Sequence, residues 1–137
     1  MNHKLSHLIG LIDKLPDDQA KMLLARLMKE DPIVGFKLLT RQYGFADLRF
    51  ANREGLAALF ESVSTDVVLC ALNGSSDTLV RKFTQHLSTT DMTNFIERLY
   101  AHRASDEAVR NAQRKILVKA FMLQRKGQLT VNRPGID

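Results

Sequence analysis

The chain has 137 residues, 45% of them hydrophobic and 26% charged, with a formal net charge of +5. Such a composition excludes a disordered chain, and no apolar run approaches the ~20 residues of a membrane-spanning helix. The opening MNHKLSHLIGLIDKLPDD lacks a signal-peptide cleavage pattern, and the single cysteine, Cys70, sits inside an apolar run. These features predict a buried thiol, a reducing compartment and a cytoplasmic location without membrane insertion.

In chain order, Leu5, Leu8, Ile9, Ile12 and Leu15 recur at helical spacing and predict a helix ending near Leu15-Pro16. Asp17 and Asp18 open a second helix. Its apolar side, Met22, Leu23, Leu24, Leu27 and Met28, is too wide for one narrow stripe. At Asp31-Pro32 the chain restarts, Asp capping and Pro fitting a first turn that has no use for its N–H. The third helix is predicted through Val34, Phe36, Leu38 and Leu39 towards Tyr43-Gly44, and Phe45-Ala46-Asp47-Leu48 reads as a connecting turn. The five methionines read as core fillers.

Asn52 is a candidate cap for a helix through Leu56, Leu59 and Phe60, and Thr65 for the next one. The stretch from Asp66 to Leu87 reads as helix, stop, helix. Val67, Val68, Leu69, Ala71 and Leu72 are apolar, Gly74 suits a helix end, and Ser75 or Ser76 caps the run Leu79, Val80, Phe83, Leu87. Ser88 and Asp91 open a helix patterned by Met92, Phe95, Ile96, Leu99 and Tyr100. Ser105, Asp106 and Glu107 open the last and longest, through Val109, Ala112, Ile116, Leu117, Ala120 and Phe121, and Gly127 stops it. Leu129-Thr130-Val131 reads as briefly extended, with residues 131–137 forming a flexible tail. With no sustained period-two alternation, the predicted fold class is all-α.

Catalytic and metal patterns are missing. His3 and His7 lie four apart but without a Cys or carboxylate ligand set, and no phosphate-binding glycine loop, GxSxG or HExxH occurs. The expectation is a protein that is not an enzyme and needs no cofactor or metal. Excess positive charge gathers at Arg98, Arg103, Arg110, Arg114, Lys115, Lys119, Arg125 and Lys126. No exposed aromatic is interleaved for base stacking, so a solvated or protein-facing patch is expected in preference to a nucleic-acid groove.

The order of Phe45-Ala46-Asp47-Leu48, Ala71-Leu72-Asn73-Gly74 and Ala112-Gln113-Arg114 leading to Gly127-Gln128 resembles the carboxy-terminal region of the flagellar motor switch protein FliG. Upstream, LPDDQAKMLLARLMKEDPIVGFKLL is similar to the armadillo-like bundle preceding that family's hinge. The resemblance spans most of residues 13–130. It implies two right-handed superhelical, armadillo-like sub-bundles: residues 1–43, and a carboxy-terminal-like bundle over 44–130. The family's hinge falls on Gln42, Tyr43, Gly44 and Phe45.

The resemblance further implies a rotor protein whose charges face a stator. The positions that would carry those charges are Asn73 for a turn lysine, Thr90 for an arginine, and Glu97 and Arg98 for an acidic pair. A further arginine falls near Ser105 or Asp106. Most of the charges are lost or inverted, which weakens a charge-steered contact. The expected function is a non-enzymatic, FliG-like switch component or regulator at the cytoplasmic face of the flagellar basal body, bound to switch proteins or to itself. Self-association is expected through Met22, Leu23, Leu24, Leu27 and Met28. Two alternatives stand beside this: a working torque subunit with rearranged charges, and a basic nucleic-acid-associated helical protein.

Overall fold

The computed structural model describes residues 3–41 and 43–132, with side chains from residue 5 onward. Gln42 of the expected hinge, the side chain of His3 and residues 133–137 of the expected tail lie outside the described residues. The chain forms two compact units, Met1–Gln42 and Tyr43–Asp137. The fold is all-α: among the described residues the extended pairing is one isolated antiparallel bridge, Ala51 to Val131.

The first unit holds α1 (His3–Lys14), α2 (Asp17–Glu30) and α3 (Pro32–Leu39). The Asp31 carboxylate accepts from the Val34 N–H at 3.4 Å, and Pro32 takes the first helical position, as the Asp-Pro pair predicts. Leu8, Ile12, Ala20, Leu24, Leu27 and Leu38 are buried together. Each of the leucine and isoleucine side chains contributes about 1.5–3 kcal/mol relative to exposure. The third helix stops at Leu39, short of the expected Tyr43. Thr40 ends it, its backbone N–H and its hydroxyl both donating to the Phe36 carbonyl, at 2.9 and 2.7 Å. Arg41 then reaches back to Asp13 at 2.7 Å. Not every methionine fills the core: Met22 is 72% exposed.

The second unit opens with a 3-10 helix, Phe45–Phe50, where sequence suggested a turn. Asp47 fixes its start by accepting from the Gly44 N–H at 3.0 Å. There follow α4 (Arg53–Glu61), α5 (Thr65–Leu72), α6 (Asp77–Thr84), α7 (Thr89–Ala101) and α8 (Asp106–Arg125). Serines cap the last four helices: Ser64, Ser76, Ser88 and Ser105 accept from the N–H three residues on. Ser64 thus replaces Thr65 as the cap of α5, because Thr65 already has a helical backbone. Leu56, Leu59, Val68, Phe83 and Ile116 are fully buried between these helices. Phe45 stacks on Phe83 with ring centres 5.9 Å apart.

Gly74 and Gly127 adopt φ of +81° and +75°, the left-handed conformation that suits glycine at a helix end. After α8, the Gln128 N–H donates to the Leu123 carbonyl and the Gly127 N–H to that of Gln124, satisfying carbonyls that the helix leaves open.

Asn52, expected to cap α4, instead holds the carboxy-terminal segment. Its backbone N–H donates to the Thr130 carbonyl at 3.0 Å, and its side-chain oxygen accepts from the Thr130 N–H at 2.9 Å. Gly55 lets that segment lie close: a Cβ there would collide with the Asn52 side chain and stand 3.0 Å from the Leu129 Cα. Leu129 is consequently fully buried, and the Asn132 N–H donates to the Phe50 carbonyl. The segment is held as far as Asn132, so Val131 and Asn132 do not belong to the expected free tail.

Candidate functional site

The four positions marked by sequence sit around α5, α7 and the loop that follows α7. Asn73 is the carboxy-terminal cap residue of α5. Its side-chain N–H donates to the His102 carbonyl at 2.7 Å, and its side-chain oxygen accepts from the Ala104 N–H at 3.3 Å. Both ends of the amide are therefore engaged with the α7–α8 loop. Asn73 closes the turn after α5 against that loop.

Thr90 and Glu97 are exposed and seven residues apart on α7, so they share a face. Arg98 lies one position round, and its guanidinium meets the Asp66 carboxylate, in the first turn of α5, at 2.9 Å. Both side chains are more than half exposed. Such a pair contributes below ~1 kcal/mol but turns the arginine towards α5. Ser105 is the α8 cap, accepting from the Ala108 N–H at 3.1 Å, and Asp106 sits in that helix's first turn. No arginine stands at either place. The structure groups Thr90, Glu97 and Arg98 on one helix and sets Asn73 apart at the loop beyond its end.

Two open hollows flank His102. One, about 470 Å³, has Leu72, Asn73, Gly74, Leu99, Tyr100 and Arg103 in its lining. The other, about 370 Å³, is lined by Asp66, Leu69, Cys70, Arg98, Ala101 and His102. Cys70 is half-buried there, not fully buried as its apolar neighbours in sequence suggested. Tyr100, expected on the apolar side of α7, is 69% exposed, and its hydroxyl donates to Asp77 at 3.1 Å. That bond and the nearby Asp77 charge raise the pKa of the phenol. Asp66, Asp77 and Tyr100 carried no sequence signal for this surface, because their partners lie 23 or 32 residues away.

The described part of the expected hinge is packed into the second unit. Tyr43 is buried, and its hydroxyl donates to Gln124 on α8 at 2.9 Å. Burial pushes its pKa up to about 12.

The five residues expected to drive self-association divide. Leu24 and Leu27 are core, Leu23 and Met28 are half-buried, and only Met22 is open to solvent. The wide apolar side exists because α2 packs against both α1 and α3. Exposed apolar side chains in the first unit also include Ile33 (69%) and Phe36 (41%), both on α3. Among the described residues no group of three or more His, Cys, Asp or Glu is placed to hold a metal ion, and no single helix is long and apolar enough to cross a membrane.

A family model described as the FliG C-terminal domain matches residues 25–131. Two solved structures of FliG from H. pylori, residues 116–343 and 86–343, are similar at 23% identity and a TM-score of 0.63. Each match covers 90% of this chain, and 55% and 58% of those chains. Full-length FliG from Aquifex aeolicus is similar at 18% identity and a TM-score of 0.64, over 93% of this chain and 40% of that one. The chain thus spans roughly half the length of the structures it matches. At these identities the likeness is one of fold. No curated protein sequence matches.

Proposed function

The chain belongs to the FliG C-terminal domain family, and from that premise we propose that it is a non-enzymatic switch-type component of a flagellar motor, acting through protein contacts without the usual torque charges. The observation that supports this most is the state of the positions where the resemblance places those charges. Asn73 is neutral and engaged with the α7–α8 loop; Thr90 is neutral; Arg98 has the wrong sign and an ion-pair partner in Asp66; Ser105 is a helix cap. Glu97 alone keeps its charge. An interface guided by electrostatic complementarity loses attraction when its charges are removed or reversed.

On this reading the protein works at the cytoplasmic face of the basal body. Its partner contact, with a switch protein or a second copy, lies on the exposed apolar side of the first unit. Met22 on α2 contributes, together with Ile33 and Phe36 on α3, all three being exposed. Leu24 and Leu27 hold the bundle and take no part. Isolation of flagellar basal bodies from cells producing a tagged chain tests this. The tag is expected with the switch complex, and to be lost from it when Ile33 and Phe36 are both changed to Glu. Recovery of the tag with nucleic acid in place of basal bodies would support the alternative of a basic nucleic-acid-associated protein.

A further inference from the structure

We infer that the groove along residues 50–55 is a docking site for an extended segment of a partner protein, kept shut in this chain by its own residues 129–132. The seated segment displays what the groove recognises. The Asn52 N–H donates to the Thr130 carbonyl, the Asn52 side-chain oxygen accepts from the Thr130 N–H, and the Asn132 N–H reaches the Phe50 carbonyl at 3.3 Å. Ala51 and Val131 form the antiparallel bridge. All of these contacts use the segment's backbone, so they do not depend on its side chains.

The side chains alternate as in a strand. Leu129 is fully buried, Thr130 exposed, Val131 half-buried and Asn132 exposed. Gly55 gives the groove its depth, since a Cβ there would stand 3.0 Å from both the Gln128 carbonyl oxygen and the Leu129 Cα. This is the chemistry of strand addition. Main-chain hydrogen bonds hold an extended segment, and the inward positions select a leucine and a smaller apolar residue two places on.

Two features let the strap leave while the helices stay. The end of α8 is closed before the strap begins, by the Gly127 and Gln128 N–H groups on the Gln124 and Leu123 carbonyls. Asn52 stands at the amino-terminal cap position of α4 but makes no side-chain cap bond, its oxygen going to Thr130 instead. Once Thr130 departs, that oxygen is free to accept from an N–H in the first turn of α4, the usual bond of an asparagine at this position. The site thus has two arrangements, strap seated with α4 uncapped, or strap released with α4 capped. A partner's segment competes with the strap for the same groove, and its apparent affinity falls with the fraction of chains that are shut.

The test is fluorescence polarisation with a labelled peptide of residues 127–132, added in trans to the full chain. Weakening the strap should tighten the peptide. Leu129→Ala removes the buried anchor and should raise the peptide's apparent affinity about 100-fold over the unaltered chain. Thr130→Pro removes only the N–H given to Asn52, at an exposed position, and should raise it about fivefold. Circular dichroism confirms that each variant is folded, and Thr130→Pro decides alone should Leu129→Ala lose its helical signal. Adding Gly55→Ala to either variant should abolish binding, because the new Cβ fills the groove, and a peptide with alanine in place of its leucine should not bind. Failure of the peptide to bind the folded strap variants at millimolar concentration overturns the inference. So does equal affinity for the variants and the unaltered chain, or binding that survives Gly55→Ala or the loss of the peptide's leucine. These outcomes leave the switch-component reading untouched, because that reading is tested on basal bodies.

Discussion

Asn73→Lys, which returns the family's lysine to the turn after α5, should destabilise the second unit. The asparagine amide makes two hydrogen bonds across to the α7–α8 loop, at 2.7 Å to the His102 carbonyl and 3.3 Å from the Ala104 N–H. A lysine cannot reproduce this geometry, and having no acceptor it leaves the Ala104 N–H to water. A typical intramolecular hydrogen bond contributes about 0.5–1.5 kcal/mol net. The first bond is short and the second long, and Asn73 is half-buried, so the expected loss is about 1–2 kcal/mol. For a unit of this size that lowers the melting temperature by roughly 5–10 °C.

Urea unfolding followed by circular dichroism measures the loss, and an unchanged slope with denaturant shows that stability itself has moved. Thr90→Arg is the matched control, because Thr90 is exposed at the start of α7. It should change stability by less than ~0.5 kcal/mol. Arg98→Asp replaces a 2.9 Å ion pair by two facing carboxylates at an exposed site, and should cost less than ~1 kcal/mol. Should Asn73→Lys prove as neutral as Thr90→Arg, the structural role given to Asn73 is wrong.

Gly55→Ala should destabilise by about 1–3 kcal/mol, because the new Cβ meets the Asn52 side chain and the Leu129 backbone; hydrogen exchange should show residues 128–132 opening first. Leu24→Glu places a charge in a fully buried position and should unfold the first unit, whereas Ile33→Glu should leave its circular dichroism unchanged while weakening any self-association seen by sedimentation. Tyr43 has a folded-state pKa of about 12 against an ordinary value of 10.0. Its contribution is therefore complete below pH ~10 and lost as pH rises from there through ~12, by up to about 2 kcal/mol. Tyr43→Phe should remove that alkaline sensitivity, read from unfolding curves across the range, at a cost near ~1 kcal/mol for the bond to Gln124.

Sequence carried the helices well because their signals are local. Asp31-Pro32, Ser76, Ser88, Ser105, Gly74 and Gly127 each act on a helix end within a few residues, and the apolar spacing of Leu79, Val80 and Phe83 names the buried face directly. Misreadings arose where a residue's partner is distant in the chain. Asn52 looks like a cap until Thr130, 78 residues on, takes its side chain. Tyr100 continues an apolar pattern until Asp77 draws its hydroxyl to the surface. Asn73 reads as a lost charge, and only the fold reveals the loop it closes. The wide apolar side of α2 gives the same sequence signal whether its excess faces a partner or a third helix, and here most of it faces α1 and α3.

We propose that this member of the FliG C-terminal domain family lacks the charges needed to drive rotation. A chimaera tests it most directly: residues 43–132 replace the corresponding domain of a motile bacterium's own switch protein, and rotation of tethered cells is recorded. Motors are expected to assemble but to turn with greatly reduced torque. Adding Thr90→Arg and Arg98→Asp, which restore charge without touching the Asn73 contacts, should recover part of the rotation. Full-speed rotation by the unaltered chimaera would contradict the account and favour a torque subunit with rearranged charges.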